Sequence, residues 1–255
     1  MTPGLMPATN PAAAPVEVEI LFKGPRVLNA LNDLCGVNVQ RVEVIDRGLA
    51  AVPEALAGIE SMTSLNLSCN PIVGGWEHLR PLHQLRQLDL GSCGLTEVPA
   101  ALAGMQRMTR LNISFNPIER GWERLCTLHQ LWELDLGQCV LTEVPKALAA
   151  MQSVTRLNLF NNRIERGWER LRLLCQLREL VIGGCGLTEL PAVVGGTKSV
   201  TSLALHDNPI DRGWEHLRTL TRLQKLYAAV NVENMPEAVK ALTNLTIRRP
   251  RLPLM

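Results

Sequence analysis

The sequence predicts an α/β fold, a right-handed solenoid in which each coil contributes one short parallel strand and one short helical segment. The tryptophans Trp76, Trp122, Trp168 and Trp214 recur every 46 residues, and half of that interval, 23, aligns the whole of residues 39–245. Nine segments, starting at 39, 62, 85, 108, 131, 154, 177, 200 and 223, share one apolar pattern. Self-similarity at a fixed period is typical of repeat architectures.

The apolar pattern within one segment, or coil, predicts its local structure. We number each coil from position 0, and apolar residues recur at positions 0, 3, 5, 10, 13, 17 and 20. Positions 3 and 5 alternate with polar residues, as in a strand with one buried face. Positions 13, 17 and 20 have the spacing of one face of a helical turn. A single coil buries too little to offset its ordering entropy, so adjacent coils must share one core.

The shared motif is L-x-x-L-x-L-x-x-N/C-x-L, as in MTRLNISFNPI at 108–118 and LWELDLGQCVL at 131–141. The chain therefore resembles leucine-rich-repeat proteins over residues 39–245. The resemblance implies a horseshoe with a concave parallel sheet and short helices on its convex side. It also implies a structural ladder at position 8, whose side chains point inward and satisfy backbone groups of adjacent coils. This ladder comprises Asn70, Cys93, Asn116, Cys139, Asn162, Cys185 and Asn208.

Two kinds of coil alternate, and they differ at position 14. The proline coils start at 39, 85, 131 and 177 and carry Pro53, Pro99, Pro145 and Pro191 there. The tryptophan coils start at 62, 108, 154 and 200 and carry Trp76, Trp122, Trp168 and Trp214. We predict that these residues form a structural spine along the outer side, with each indole packed between two proline rings. An aromatic binding stripe is the alternative, and packing is favoured because like tryptophans lie two coils apart, about 10 Å.

The two ends of the chain depart from the repeat. Residues 1–15 contain four prolines among alanines and threonines and are expected to be a disordered tail. Residues 16–38 read as an alternating strand followed by a helical pattern that begins after Gly24-Pro25, so an N-terminal βα cap is expected. Residues 39–245 then form the nine coils of the solenoid. Residues 246–255 are expected to be an incomplete last coil or a tail.

Side chains at positions 2, 4, 6 and 7 are expected to line the concave sheet, with position 1 at its rim. At position 2, Arg110, Glu133, Arg156 and Glu179 should stack as an alternating charge ladder. Mutual neutralisation of these charges and a polar strip that orients a partner are both open interpretations. Position 4 is polar as far as Asn158 and apolar in the two coils after it.

Aromatic side chains on this polar sheet are candidate hot spots for a protein partner. Trp132 breaks the pattern at position 1, which otherwise holds threonine or another polar residue. It is either a partner contact or a rim residue folded onto its own coil. The hypothesis is that a partner protein docks on Phe115, Trp132, Phe160 and the charge ladder. The predicted partner-binding residues are Arg110, Phe115, Trp132, Glu133, Asp135, Arg156, Phe160, Glu179, His206, Asp207 and Tyr227.

Motifs for catalysis or metal binding are absent from the sequence. It contains no H-E-x-x-H, G-x-S-x-G or phosphate-binding loop, and no histidine pair has metal spacing with a third ligand. We therefore expect no enzyme activity, no cofactor and no metal. A net charge of +2 is too small for overall electrostatic attraction to favour binding of nucleic acid. No apolar run reaches the ~18 residues that span a membrane.

The predicted function is that of a non-catalytic protein-binding scaffold. Seven cysteines without a C-x-x-C pair or a four-cysteine cap fit a reducing compartment, so a cytoplasmic location is expected. Three of the proline coils carry L-T-E-V-P, as at 95–99, or L-T-E-L-P, as at 187–191. In this they resemble the intracellular repeats of Ras-scaffolding and Roco-family proteins, which implies a role in signalling or innate immunity. Alternatives are a secreted or cell-surface recognition receptor module and the substrate-recognition part of a larger enzyme. The sequence leaves open the partner, the pathway, the oligomeric state and whether the chain is a fragment of a longer protein.

Overall fold

The computed structural model describes residues 16–19, 25–34, 36–228, 237–240 and 246–248, and it confirms the predicted leucine-rich-repeat horseshoe. Strands lie beside their sequence neighbours in one 11-stranded sheet, and every pair is parallel. The predicted tail at 1–15, Cys35 and much of the last coil lie outside the described residues. The strands are β1 (Val16–Glu19), β2 (Val39–Glu43), β3 (Ser64–Asn66), β4 (Gln87–Asp89), β5 (Arg110–Asn112), β6 (Glu133–Asp135), β7 (Arg156–Asn158), β8 (Glu179–Val181), β9 (Ser202–Ala204), β10 (Lys225–Tyr227) and β11 (Thr246–Arg248).

The strand register repeats every 23 residues from β2 to β10. The last strand, β11, pairs with β10 at an offset of only 21 residues, Lys225 with Thr246. Each strand pairs position by position with the next, as in Arg110 with Glu133 and Leu111 with Leu134. A slip of one residue would turn the apolar face of a strand toward water, so the common 23-residue period holds the register. At position 3, Leu88, Leu134 and Leu180 are 2%, 1% and 1% exposed. The predicted inward face of the strands is therefore confirmed.

The segments on the convex side are short and mostly tighter than an α-helix. Each 3₁₀ helix is only four to six residues long, and short helical segments of this kind favour the 3₁₀ geometry. The 3₁₀ helices are η1 (Glu54–Gly58), η2 (Trp76–Leu79), η3 (Ala100–Gly104), η4 (Trp122–Thr127), η5 (Lys146–Ala150), η6 (Trp168–Leu173) and η7 (Trp214–Thr219). The α-helices are α1 (Pro25–Asn32), α2 (Ala192–Gly196) and α3 (Glu237–Lys240).

The N-terminal strand and helix lie where the sequence places the cap. β1 pairs with β2 and so extends the parallel sheet beyond the first coil. On α1, Val27 and Leu31 are fully buried in the same core as the coils. The end of the first coil's core is thereby covered with apolar side chains, which a solenoid needs at its terminus. At the other end, β11 pairs with β10.

A second, interrupted set of backbone bridges runs along the outer flank at position 12. These bridges join each proline coil to the tryptophan coil that follows it, through Ala51–Gly74, Glu97–Arg120, Glu143–Arg166 and Glu189–Arg212. We call this contact a closed junction, and we call the contact between a tryptophan coil and the following proline coil an open junction. In a closed junction the glycine at position 13 approaches the neighbouring backbone. A Cβ on Gly121, whose φ is +85°, would lie 3.0 Å from the Val98 carbonyl oxygen.

Candidate functional site

The asparagines of position 8 are fully engaged in holding the coils together. Asn116 is completely buried, and its Nδ2 donates to the carbonyl oxygens of Leu90, Ile113 and Ser114 at 2.9, 2.9 and 3.0 Å. Its Oδ1 accepts from the backbone amides of Cys93 and Leu95 at 2.9 Å each. The side chain thus saturates its hydrogen-bonding capacity across a closed junction. Asn70, Asn162 and Asn208 make corresponding bonds.

The cysteines of position 8 make a simpler contact across the open junctions. The Cys139 Sγ–H donates to the Ile113 carbonyl at 3.2 Å and more weakly to the Gly137 carbonyl at 3.7 Å. Burial raises the pKa of the Cys139 thiol to about 12 and that of Cys93 to about 11. Burial likewise raises the pKa of Cys185 to about 11. These residues are therefore neutral, protonated thiols that pack and donate, rather than nucleophiles.

Position 4 is polar on the concave side, as the sequence indicates, and the structure shows that its side chains are joined by hydrogen bonds between adjacent coils. Asp135 Oδ1 accepts from the Gly137 amide at 2.8 Å, and Asn158 Nδ2 donates to both carboxylate oxygens of Asp135 at 3.0 and 3.1 Å. Asn112 Nδ2 donates to Asp89 in the same way. Burial raises the pKa of Asp135, and the bonds from Gly137 and Asn158 oppose that shift. Asp135 therefore has a structural role, and its predicted partner contact stays a prediction.

Trp132 lies between two arginines of the adjacent coils. The Arg110 guanidinium carbon is 4.5 Å from the centre of the indole ring, and that of Arg156 is 5.6 Å away. Each arginine also pairs with the glutamate of the next strand, Arg110 with Glu133 at 3.3 Å and Arg156 with Glu179 at 3.2 Å. Both ion pairs are solvent-exposed and screened, so each contributes little to stability. The two cations nevertheless lie close enough to the partly exposed indole for cation–π contacts.

A second aromatic contact lies two strands further along the same face. The rings of Phe160 and His206 are 5.3 Å apart and tilted by 40°, although their strands are separated by β8. Gly183 on the intervening coil makes this possible, because a Cβ there would lie 2.9 Å from His206 Cε1. His206 Nδ1 in turn lies 2.9 Å from a carboxylate oxygen of Asp207. Gly183 belongs to the candidate site through this contact, which sequence reasoning missed and only the register of the sheet reveals.

The remaining predicted site residues lie apart from these two clusters. Phe115 is 55% exposed and sits at position 7, where its φ of +56° turns the chain out of the strand. Tyr227 ends β10 and is partly exposed. We call the cluster of Arg110, Trp132, Arg156, Phe160 and His206 the concave aromatic patch. Arg110 and Arg156 lie at position 2 of their coils, and Phe160 and His206 lie at position 6. Trp132 lies at the rim position 1, and Phe115 lies outside both clusters.

The predicted spine residues lie on the outer side of the core. Trp76, Trp122 and Trp168 are partly buried and pack against the core, while Trp214 is 9% exposed. Trp122 and Pro145, at position 14 of adjacent coils, line one cavity. Packing of each indole between two proline rings stays a prediction.

In the part of the chain that the structure describes, no three His, Cys, Asp or Glu side chains are grouped so that they could hold a metal ion. Within the same residues, the helices are all too short to cross a lipid bilayer.

Comparison with known proteins supports the fold. A family model described as "Leucine Rich repeat" matches residues 59–75. An internalin (inlF) from Listeria monocytogenes has a TM-score of 0.71 and 24% identity, with 86% of this chain and 62% of that one covered. A leucine-rich-repeat protein from Leptospira interrogans has a TM-score of 0.69 and 19% identity, with 93% of this chain and 67% of that one covered.

The plant peptide hormone receptor RGFR1, solved in complex with RGF2, has a TM-score of 0.64 and 16% identity. It is matched over 92% of this chain and 43% of its own. No curated protein matches the chain in sequence. The chain thus spans 62% of the length of the Listeria structure and less than half of the plant receptor. The chain therefore has the leucine-rich-repeat fold.

Proposed function

We propose that this protein is a non-catalytic scaffold that binds a partner protein on the concave aromatic patch. The observation that carries the proposal is the indole of Trp132 held between Arg110 and Arg156 on an otherwise polar sheet. Tryptophan and arginine are enriched among the residues that contribute most to protein–protein binding. A partner that covers this cluster would remove the indole and both cation–π contacts from water, which strengthens them.

The patch is preorganised, and this favours binding. Arg110 and Arg156 are each held by a glutamate of the next strand and by the indole, so little side-chain freedom is lost when a partner docks. The rigid sheet fixes the spacing of the patch, since like positions pair strand by strand from β5 to β9.

The chemistry of the face changes along the sheet and suggests how a partner is oriented. Position 4 is polar through Asn158 and becomes apolar at Val181 and Ala204, of which Ala204 is buried, and the Phe160–His206 contact spans the same strands, β7 to β9. We infer a partner that places charged groups over β5–β7 and an apolar group over β8 and β9. Complementary charge gives orientation, and the apolar end gives affinity.

The test is capture of a partner followed by measurement of its affinity for variants. The triple variant Phe115→Ala, Trp132→Ala, Phe160→Ala is expected to weaken binding at least 100-fold, about 3 kcal/mol or more, as for hot-spot residues. A matched control replaces exposed apolar residues away from the sheet, Val73→Ala with Leu173→Ala, and is expected to bind like wild type. Equal affinity of the triple variant and wild type would assign the partner to another surface.

We also propose a cytoplasmic role in signalling or innate immunity, as in the Ras-scaffolding and Roco-family proteins that the proline coils resemble. The six cysteines that the structure describes are all free, the exposed Cys69 and Cys175 included, as expected in a reducing compartment. Titration under denaturing conditions is expected to find seven free thiols, and fewer would favour the secreted or cell-surface module.

Two alternatives remain. The receptor alternative is favoured by the structural likeness to a peptide hormone receptor. The alternative of a substrate-recognition part of a larger enzyme requires a catalytic domain outside these coils. The first predicts disulfides, and the second predicts that the purified chain is catalytically inert.

A further inference from the structure

A cavity of about 630 Å³ opens on the outer flank, away from the concave aromatic patch. It lies at the open junction between the coil that starts at 108 and the coil that starts at 131. Its apolar lining includes Ile118, Trp122, Leu141 and Pro145. The volume is in the range of pockets that hold a ligand group, about 300–1,000 Å³.

Three residues that line this cavity depart from the repeat. Cys126 stands at position 18, where the other tryptophan coils all carry arginine. Val140 stands at position 9, where the other proline coils all carry glycine. Lys146 stands at position 15, where those coils carry alanine or glutamate. The other coils of the same type show which residue the fold requires at each position. Three exceptions that line one cavity therefore indicate a function at that cavity.

Val140 shows that the departure carries a structural cost. Its φ is +58°, a left-handed conformation that strains a β-branched residue, and it is 72% exposed. The exposed side chain gains little packing within the chain to offset that strain. Backbone strain of this kind, where it persists, is concentrated at functional sites. The valine does add an apolar wall to the mouth of the cavity.

The charges around the cavity are divided between its two sides. The coil at 108 contributes the exposed carboxylates of Glu119 and Glu123, and the Glu123 carboxylate lies 4.0 Å from the Arg124 guanidinium. The coil at 131 contributes Lys146 beside Glu143, and Glu143 is already paired with Arg166 at 3.1 Å. One side is therefore acidic and the other carries an excess of positive charge.

We propose that this cavity binds a segment of a protein partner in which a large apolar side chain lies between a basic and an acidic residue. The apolar side chain fills the space beside Trp122. The basic residue faces Glu119 and Glu123, and the acidic residue faces Lys146. This contact lies outside the concave sheet and is separate from the function proposed for it.

The proposal is tested with peptides and 5-fluorotryptophan-labelled protein, followed by ¹⁹F NMR. The probes are acetylated, amidated Gly-Lys-Phe-Glu-Gly and Gly-Glu-Phe-Lys-Gly, and the Trp122 resonance is assigned with Trp122→Phe. A saturable shift of that resonance is expected with one or both probes. Replacing either charged peptide residue by glutamine should weaken binding about two- to fivefold, and replacing phenylalanine by alanine at least about tenfold.

Variants of the protein separate this site from the concave face. Cys126→Arg introduces the residue of the other tryptophan coils, so it is expected to fold while losing at least about tenfold in peptide affinity. If it does not fold, Val140→Gly with Lys146→Ala is measured in its place, with the same loss expected. Trp132→Ala with Phe160→Ala is expected to leave peptide binding unchanged.

Several results would overturn the proposal. These are the absence of a saturable Trp122 shift, equal binding of the charged and neutralised peptides, and full binding by the cavity variants. A Trp122 shift that depends on protein concentration without peptide would assign the cavity to a second copy of the chain instead. Loss of peptide binding in the Trp132→Ala, Phe160→Ala variant would place the peptide on the concave face.

Discussion

The closed and open junctions use the same backbone geometry but very different numbers of bonds. Across a closed junction, the side chain of Asn116 makes three hydrogen bonds to the preceding coil and two within its own. Across an open junction, the Cys139 thiol makes one bond to the preceding coil and a weaker one within its own. The flank bridges at position 12 occur at closed junctions. The structural unit is therefore a bonded pair of coils, 46 residues long.

The difference shows where the solenoid has room for other contacts. Both ion pairs of the concave charge ladder, Arg110–Glu133 and Arg156–Glu179, cross open junctions. The flank cavity beside Cys126 lies at an open junction as well. Ion pairs also cross the closed junctions on the flank, through Glu97–Arg120, Glu143–Arg166 and Glu189–Arg212. The feature that follows from fewer bonds at an open junction is therefore the cavity beside Cys126.

The largest effect is expected when a closed junction is broken. Asn116→Ala leaves the buried amides of Cys93 and Leu95 without an acceptor and should lower the free energy of unfolding by about 3–5 kcal/mol. Urea denaturation measures the loss. Thr96→Ala, at an exposed position nearby, is the control and should stay within about 0.5 kcal/mol of wild type. A loss below about 1 kcal/mol for Asn116→Ala would contradict the role given to the closed junction.

Breaking an open junction should cost less. Cys139→Ala removes one thiol hydrogen bond and a small volume, so unfolding should become easier by about 1–2 kcal/mol. The same urea titration applies. Cys139→Ser, which keeps a donor of similar shape, serves as the comparison for the volume effect. If Cys139→Ala and Asn116→Ala are equally destabilising, the two junctions are equivalent and the paired-coil description is wrong.

A smaller effect of opposite sign is expected beside the open junction. Val140→Gly relieves the left-handed strain and should raise the free energy of unfolding by about 0.5–1 kcal/mol. The mirror variant Gly94→Val, at the same position of another coil with φ +71°, should lower it by a similar amount. Thermal unfolding of both variants provides the measurement. A destabilised Val140→Gly protein would mean that the valine packs in a way its exposure does not indicate.

The subtlest test concerns the thiols themselves. In native protein at pH 8, iodoacetamide should modify the exposed Cys69 and Cys175, while Cys93, Cys139 and Cys185 stay protected by burial and pKa values of about 11, 12 and 11. Because folding raises these pKa values, the buried thiols stabilise the fold below about pH 9. That contribution is lost as the pH rises toward 11–12. Mass spectrometry of tryptic peptides reads the modification, and rapid labelling of Cys139 would contradict the burial of the ladder.

Much of the fold follows from the sequence because its signals are periodic. The positions of Leu88, Leu134 and Leu180 in the core, the parallel sheet and the short convex helices are all predicted by one 23-residue pattern. The candidate site is less accessible to this reasoning. The pattern places Trp132 at the rim, but its position between Arg110 and Arg156 depends on side chains 22 and 24 residues away along the chain.

By itself, the sequence determined the coil, its register and the alternation of two coil types. The reason is that apolar side chains repeated at a fixed period are all buried in only one register of adjacent coils. Tertiary structure decided which groups meet across that stack. The contact of Phe160 with His206 over Gly183 and the cavity beside Cys126 arise from residues two coils and one coil apart. Such contacts depend on the sub-ångström spacing of adjacent coils and on side-chain torsions, and neither quantity is encoded in the period of a pattern.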